Sequence, residues 1–274
     1  MTTTDVTAEI RGLALAVARC PRIPLARESA GDPCHAIVRS QGTQHAWQIP
    51  EAWAGGLTTA SVLFLSSNPS ISQAAPGHDP GAAENYPDET WADDDVVDFI
   101  THRFPTYATA DGRHLQKNGT WSPRSTKFWR GVRSIASDFL GRIADPAHDY
   151  AMTEVVHCKS KAEIGVSTAA KVCAEMHLDR IVAASPAPVV VVLGTKAFVR
   201  VRKPWSLPVE AKTSGVPERR IVGGRERLVA YLPHPSNWGT LQTLTTRYPG
   251  HIDELRTAAL AGVTVGSPRP AEHG

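Results

Sequence analysis

Four short apolar runs, at residues 61–66, 152–156, 188–193 and 227–232, leave this chain few ways to fold. Their hydrophobicity is nearly continuous rather than alternating, which is how strands covered on both faces of a parallel sheet read. Between and around them, apolar residues recur with helical period over about 7–19, 93–103, 126–143, 168–184, 195–203 and 251–261. The alternation predicts an α/β fold, a three-layer α/β/α sandwich around a central four-stranded, mostly parallel sheet. At 274 residues the chain is near the size at which one core stops growing. Residues 1–265 therefore read as a single domain and 266–274 as a frayed tail.

Residues 70–92 and 105–124 are rich in Gly, Pro, Asp and aromatics and read as long loops, which inside a compact domain are more often functional than idle. Residues 204–225 carry Pro204, Pro208, Pro217 and the pair Gly223-Gly224, and read as another surface excursion. The formal net charge of +2 is too small to identify a nucleic-acid partner, so local clustering has to carry that argument. The opening residues lack a positive n-region, and the apolar stretch from Leu13 to Val17 is bracketed by Arg11 and Arg19. No signal peptide or membrane span is expected, and the chain reads as cytoplasmic. Cys20, Cys34, Cys158 and Cys173 are too few for a disulfide scaffold in a reducing compartment. Two separated pairs fit a metal site, while buried free thiols are the plainer reading.

In an open parallel sheet, ligands bind beyond the carboxyl ends of the strands. The first apolar run passes into Ser66-Ser67-Asn68-Pro69-Ser70 and the last into Pro233-His234-Pro235-Ser236-Asn237-Trp238. In each, a proline fixes the backbone beside a polar side chain. Taken singly, Asn-Pro is a common turn starter and a histidine between prolines a common loop residue; it is their joint placement that points to a site.

These two segments resemble the uracil-DNA glycosylase superfamily, which carries a Gly-x-Asn/Asp/Glu/Ala-Pro segment after its first core strand and His-Pro-Ser after its last. A third stretch is similar to the iron-sulfur (family 4 and 5) glycosylases: Thr153-Glu154-Val155-Val156-His157-Cys158, fourteen residues, then Cys173, then 188–193 followed by Gly194-Thr195-Lys196-Ala197. The likeness covers roughly residues 60–72, 150–200 and 227–240. It implies a four-iron four-sulfur (4Fe-4S) cluster held by Cys20, Cys34, Cys158 and Cys173, since four thiolates meet its requirement. A zinc ion or free thiols are the alternatives. The relatives space the first pair as Cys-x-x-Cys, whereas thirteen residues lie between Cys20 and Cys34.

By resemblance the chain is a DNA glycosylase that flips uracil or another deaminated base out of DNA and hydrolyses it from the sugar. Asn68 would orient the attacking water, and His234 would stabilise charge on the departing base. Ser67, Pro69 and Glu154 would contact the base. Ser236, Asn237 and Trp238 would press into the duplex, and Lys196 and Arg200 would meet phosphates, with Arg202, Lys203, Arg124, Lys127, Arg130 and Arg133 nearby. Trp91, Trp121 and Trp129 are candidates to stack on an extruded base, although core packing is the commoner fate of a tryptophan. Two departures stand out. Glu154 replaces an Asn whose amide reads both N3-H and O4 of uracil, and an ionised carboxylate can only accept. Ser66-Ser67 replaces the usual glycine before Asn68. The alternative is a catalytically inactive, DNA-binding iron-sulfur member of the same superfamily. Either way the expected partner is DNA, the location nucleoid-associated and the state monomeric.

Overall fold

The computed structural model describes residues 3–42, 46–71, 79–237 and 241–263. Its centre is a six-stranded sheet built from β1 (Ala54–Gly55), β2 (Val62–Ser66), β3 (Tyr150–Glu154), β4 (Val189–Leu193), β5 (Glu218–Val222) and β6 (Arg225–Leu232), in the order β1-β3-β2-β4-β6-β5. The inner four, β3, β2, β4 and β6, run parallel, and the outer two pair antiparallel with their neighbours. The expected four-stranded sheet is thus the core of a larger one and is corrected to six strands. β1 has only two residues, too few for any period to register. β5, with the sequence Glu-Arg-Arg-Ile-Val, is largely solvent-facing and lies in what reads as a surface excursion. It returns into β6 through Gly223-Gly224, whose φ values of 59° and 75° are those of a tight hairpin turn that glycine adopts without strain. β3 begins two residues earlier than its apolar run suggests, which makes Glu154 its last residue.

Helices cover both faces. In chain order they are α1 (Thr3–Ala18), α2 (Arg22–Glu28), α3 (His35–Arg39), α4 (Asp93–Thr101), α5 (Arg103–Thr106), α6 (Lys127–Leu140), α7 (Val166–Cys173), α8 (Asp179–Ala184), α9 (Thr195–Arg202), α10 (Leu244–Arg247) and α11 (Ile252–Val263). A π-helical turn over Ala174–Leu178 joins α7 to α8, so the helix predicted at 168–184 is continuous but widened in its middle. No helix among the described residues is long and apolar enough to cross a membrane. The predicted tail from Gly266 lies outside the described residues.

Because successive side chains of a strand point to opposite faces, each buried strand serves two cores. Val62, Phe64, Met152, Val189, Val191, Leu228 and Ala230 pack with Val132, Ile135 and Phe139 of α6, Leu244 of α10 and Leu255 of α11. Leu63, Leu65, Ala151, Val190, Val192 and Val229 pack on the other side with Val17 of α1, Phe99 of α4, Ile181 of α8 and Phe198 of α9. This is the three-layer arrangement. Each fully buried Val or Leu contributes about 1.5–3 kcal/mol of transfer free energy.

Arg227 is the exception inside this apolar frame. It is 1% exposed, and its guanidinium donates to the carbonyls of Val222 at 3.0 Å, Val182 at 2.7 Å and Ser185 at 2.8 Å, and to that of Ala187. It thereby ties the C-terminal end of α8 to the hairpin. Arg227→Leu is expected to strip these carbonyls of their guanidinium donors and lower the unfolding free energy by about 2–4 kcal/mol, read from the urea midpoint.

Candidate functional site

Because the inner four strands are parallel, their carboxyl ends lie on one edge of the sheet, and both proline-flanked turns open there. After β2 the chain keeps pairing with the segment after β3: the Val155 and Val156 amides donate to the Ser66 and Ser67 carbonyls at 3.0 Å, and the Ser160 amide donates to Pro69 at 3.1 Å. This continuation fixes the Asn68 turn. Asn68 is half-buried, and its Nδ2 donates to the Pro69 carbonyl at 2.9 Å. One of the two amide hydrogens is thus used within the chain, which fixes the side chain and leaves its carbonyl oxygen as the acceptor suited to meet a water.

His234 leaves β6 two strands away. Its ring stacks on Phe128 of α6 with centroids 5.1 Å apart and planes at 29°. Its Nδ1 accepts the Ser236 amide at 3.2 Å, so the neutral ring carries its proton on Nε2 as a donor. Burial lowers its pKa, helped by Lys196 and opposed by Glu163, which favours the neutral form. The turn is braced by Lys127, whose Nζ donates to the Ser236 and Asn237 carbonyls at 3.2 and 2.8 Å. Gly194, at φ 86°, lets the turn come close: a Cβ there would lie 3.1 Å from that of His234. Trp238 lies outside the described residues.

Between the two turns sits Glu163, which the sequence reading did not single out. Its carboxylate meets Lys196 Nζ at 2.7 Å and Arg200 Nη2 at 3.9 Å, and Arg200 Nη1 donates to Ser67 Oγ at 2.8 Å. Lys196 and Arg200, expected to face phosphates, are therefore engaged within the chain. Ala162 and Glu163 hold φ at 51° and 59°, conformations that are costly without glycine and that nothing in their side chains announces.

Beneath the Asn68 turn, at the end of β3, lies a buried set of ionisable groups that was also not anticipated. Arg103 donates to Glu51 Oε1 at 2.6 Å and to Glu84 Oε1 at 2.8 Å. Lys159 Nζ lies 3.8 Å from Glu51 Oε2, donates to the Ser70 carbonyl at 3.1 Å and stands 3.5 Å over the Tyr86 ring. Glu154 is 2% exposed, and its Oε2 has no hydrogen-bond partner. Burial raises its pKa well above the usual carboxylate range; Glu51 adds to this, while Arg103 and Lys159 only partly offset it. Burial thus favours the neutral acid, which has one O-H donor and one carbonyl acceptor, over the carboxylate.

The four cysteines meet elsewhere, on the α1 side of the sheet. All are free and buried, and they line one cavity with Arg22, Val156, Met176 and His177. The thirteen residues between Cys20 and Cys34 are taken up largely by α2, an excursion that brings the chain back to the same cavity. The His157 amide donates to Cys173 Sγ at 3.4 Å, and His177 Nε2, in the π-helical turn, lies 3.3 Å from Cys20 Sγ. Burial raises all four thiols; for Cys158 the neighbouring Cys173, Cys20 and Cys34 add to it. Gly165 (φ 75°) lets α3 pack against the start of α7, since a Cβ there would come 2.2 Å from the Ile37 nitrogen.

Of the tryptophans, Trp129 packs edge-on to Phe104 and Phe128 with Arg103 over its ring, and Trp91 packs on Phe99 and Tyr107. Trp121 is 38% exposed. No family model matches the chain, and no curated protein matches its sequence.

Gly165→Ala is expected to push α3, and with it Cys34, away from Cys158 and Cys173. The expected loss is roughly 2–3 kcal/mol of stability, read by urea unfolding, together with faster reaction of Cys34 with a thiol reagent.

Proposed function

We propose that this chain binds DNA and acts as a uracil-DNA glycosylase-type hydrolase on a base presenting one donor and one acceptor. The observation that carries the reading is Glu154, buried at the end of β3 with its Oε2 unpartnered, on the sheet edge that also bears Asn68 and His234; burial favours its neutral form. A protonated carboxyl offers the hydrogen-bond pattern of a carboxamide: its carbonyl can accept N3-H of uracil and its O-H can donate to O4. Glu154 then ceases to be an obstacle to uracil recognition.

The roles follow from the geometry. The nucleotide rotates out of the stack and its base enters the edge of the sheet. The Asn68 carbonyl orients a water toward C1′ of the sugar. The C1′-N1 bond breaks with its electron pair passing to the base, and the His234 Nε2-H donates to the oxygen on which that charge collects. One such aimed donor in a dry site is worth roughly 3 kcal/mol. Phe128 and the Ser236 amide hold the imidazole so that no reorientation is needed in the step. Ser67 and Pro69 form the wall beside the base, and Ser236 and Asn237 face the duplex.

The cysteine cavity suits a 4Fe-4S cluster. Its donor set is four thiols, with a backbone amide already on one sulfur. A single tetrahedral zinc would draw its sulfurs to within about 3.8 Å of one another. The cluster would bind α2 and α3 to the core and take no part in the hydrolysis.

Incubation with oligonucleotides carrying uracil, hypoxanthine or xanthine is expected to yield abasic sites from uracil at neutral pH. Release should fade as pH rises through the raised pKa of Glu154, because the acid pattern is present only below it. Glu154→Gln should remove that fall, and His234→Ala should lower the rate roughly 100-fold or more. DNA binding without abasic sites on any substrate would instead establish the non-catalytic alternative. Glu163→Gln releases Lys196 from its ion pair, and is expected to tighten DNA binding and steepen its salt dependence, measured by titration at several salt concentrations.

A further inference from the structure

We propose that the loop over residues 107–122 and the first turns of α6 form a binding surface for single-stranded nucleic acid, with Lys117, Arg124 and Arg130 on its phosphates and Trp121 stacked on an unpaired base. This rests on the reading of the chain as a DNA-binding protein, and adds the track a strand follows away from the candidate site.

The charge pattern is the first ground. The chain is almost balanced, with 29 Lys and Arg against 27 Asp and Glu, yet residues 112–137 carry Arg113, Lys117, Arg124, Lys127, Arg130 and Arg133 and no acid at all. A run of one sign concentrates potential locally whatever the net charge. The structure divides these six cations. Arg113 lies 3.5 Å from Asp111, Lys127 donates to the Ser236 and Asn237 carbonyls, and Arg133 Nε donates to the Ala144 carbonyl at 3.2 Å. Lys117, Arg124 and Arg130 are exposed, and among the described residues none of them meets a carboxylate. Lys196 and Arg200, by contrast, are engaged by Glu163 and Ser67.

Trp121 is the second ground. At 38% exposure it is the most exposed of the described tryptophans, and it forgoes the burial that makes an indole valuable to a core. Its backbone is nevertheless fixed. The loop folds into a small antiparallel meander in which Ala108 pairs with His114 and Leu115 with Trp121. The Gln116 amide donates to the Thr120 carbonyl and the Ser122 amide to the His114 carbonyl, both at 2.8 Å, so hydrogen bonds bracket Trp121 on either side. An indole held in this way among unpaired cations is a stacking platform. Bases inside a duplex have their faces covered by their neighbours, so an unpaired base is the one that can lie on it, and such stacking tolerates any sequence.

Position is the third. The Thr126 amide donates to the Gly112 carbonyl at 3.1 Å and Ser125 Oγ donates to Asp111 at 3.1 Å, which lays the meander against the start of α6. The same turn of α6 abuts the His234 turn, through the stacking of Phe128 on the imidazole and the Lys127 contacts. Cations, indole and candidate site are therefore joined by one short stretch of chain, and a strand with one nucleotide at the sheet edge can continue over α6 onto the meander.

The test is titration of the whole chain with a labelled oligothymidylate of about 16 nucleotides, which carries no uracil, and with a blunt duplex of the same length. Trp121→Ala is expected to weaken single-strand binding roughly tenfold and duplex binding by less than about twofold, while Trp121→Phe keeps most of the single-strand affinity. The combined variant Lys117→Gln, Arg124→Gln, Arg130→Gln should flatten the slope of log affinity against log salt on the single strand by about two, at roughly 0.7 per phosphate contact. All four side chains are exposed, so the urea midpoint should not move. Single-strand binding that Trp121→Ala leaves intact, equal weakening on both probes, or an unchanged salt slope overturns the proposal. If these shifts are seen in a protein that releases no uracil, the surface stands and the catalytic reading fails; uracil release with single-strand binding unaltered in every variant does the reverse.

Discussion

Everything at the candidate site depends on the parallel ladder of β3, β2, β4 and β6. Parallel pairing sends all four carboxyl ends to one edge, so residues separated by more than 150 positions, such as Asn68 and His234, are delivered to the same side of the molecule. The ladder does not stop with the strands. Amides of Val155, Val156 and Ser160 go on pairing with carbonyls of Ser66, Ser67 and Pro69, which extends the sheet's rigidity into the turn that carries Asn68. A catalytic constellation on loops needs such support, since displacement by an ångström is enough to lose most of a positioning effect.

The same strand end links the two unusual interiors of the protein. β3 delivers Glu154 to the buried charge group, and four residues later Cys158 to the cysteine cavity. Between them His157 donates from Nδ1 to the Glu51 carbonyl at 2.8 Å, while its own amide donates to Cys173 Sγ. Lys159 then reaches back to Glu51 and to the Ser70 carbonyl. The cysteine cavity and Glu154 are therefore joined by a single segment of five residues.

The architecture was legible in the sequence where burial on both faces leaves no choice of residue, as in Val189–Leu193, and in the turns where proline fixes a polar side chain. The edge strand β5 was not, because a strand exposed on one side and rich in arginine carries no continuous apolar run; the Gly223-Gly224 pair was its one local mark. The excursion between Cys20 and Cys34 looked like a broken spacing motif because spacing counts residues and not the path of the chain, which α2 folds back on itself. Glu51, Glu84, Arg103 and Lys159 left no trace at all. Each is an ordinary charged residue in an irregular segment, and what makes them a unit is a shared dry volume created by elements that lie far apart in sequence. Glu163 was hidden for a related reason, since its left-handed backbone is imposed by its surroundings and not encoded by glycine or asparagine.

Such a buried charge group is a poor way to stabilise a fold. Ion pairs removed from water commonly do no better than apolar residues of the same shape, and an incompletely paired group does worse. Arg103 Nε and Glu154 Oε2 both lack partners, and the aromatic rings of Tyr86, Phe99 and Trp129 around Arg103 would close readily over an apolar side chain. Stability alone therefore does not account for three carboxyls and two cations at this point. Placing them near the end of β3 does something an apolar core cannot: it puts charges of both signs around Glu154, which burial already biases toward its neutral form. A buried polar group of this kind discriminates among whatever meets it, because leaving it unmatched costs the wrong ligand about 1–3 kcal/mol while a matched one meets no such barrier.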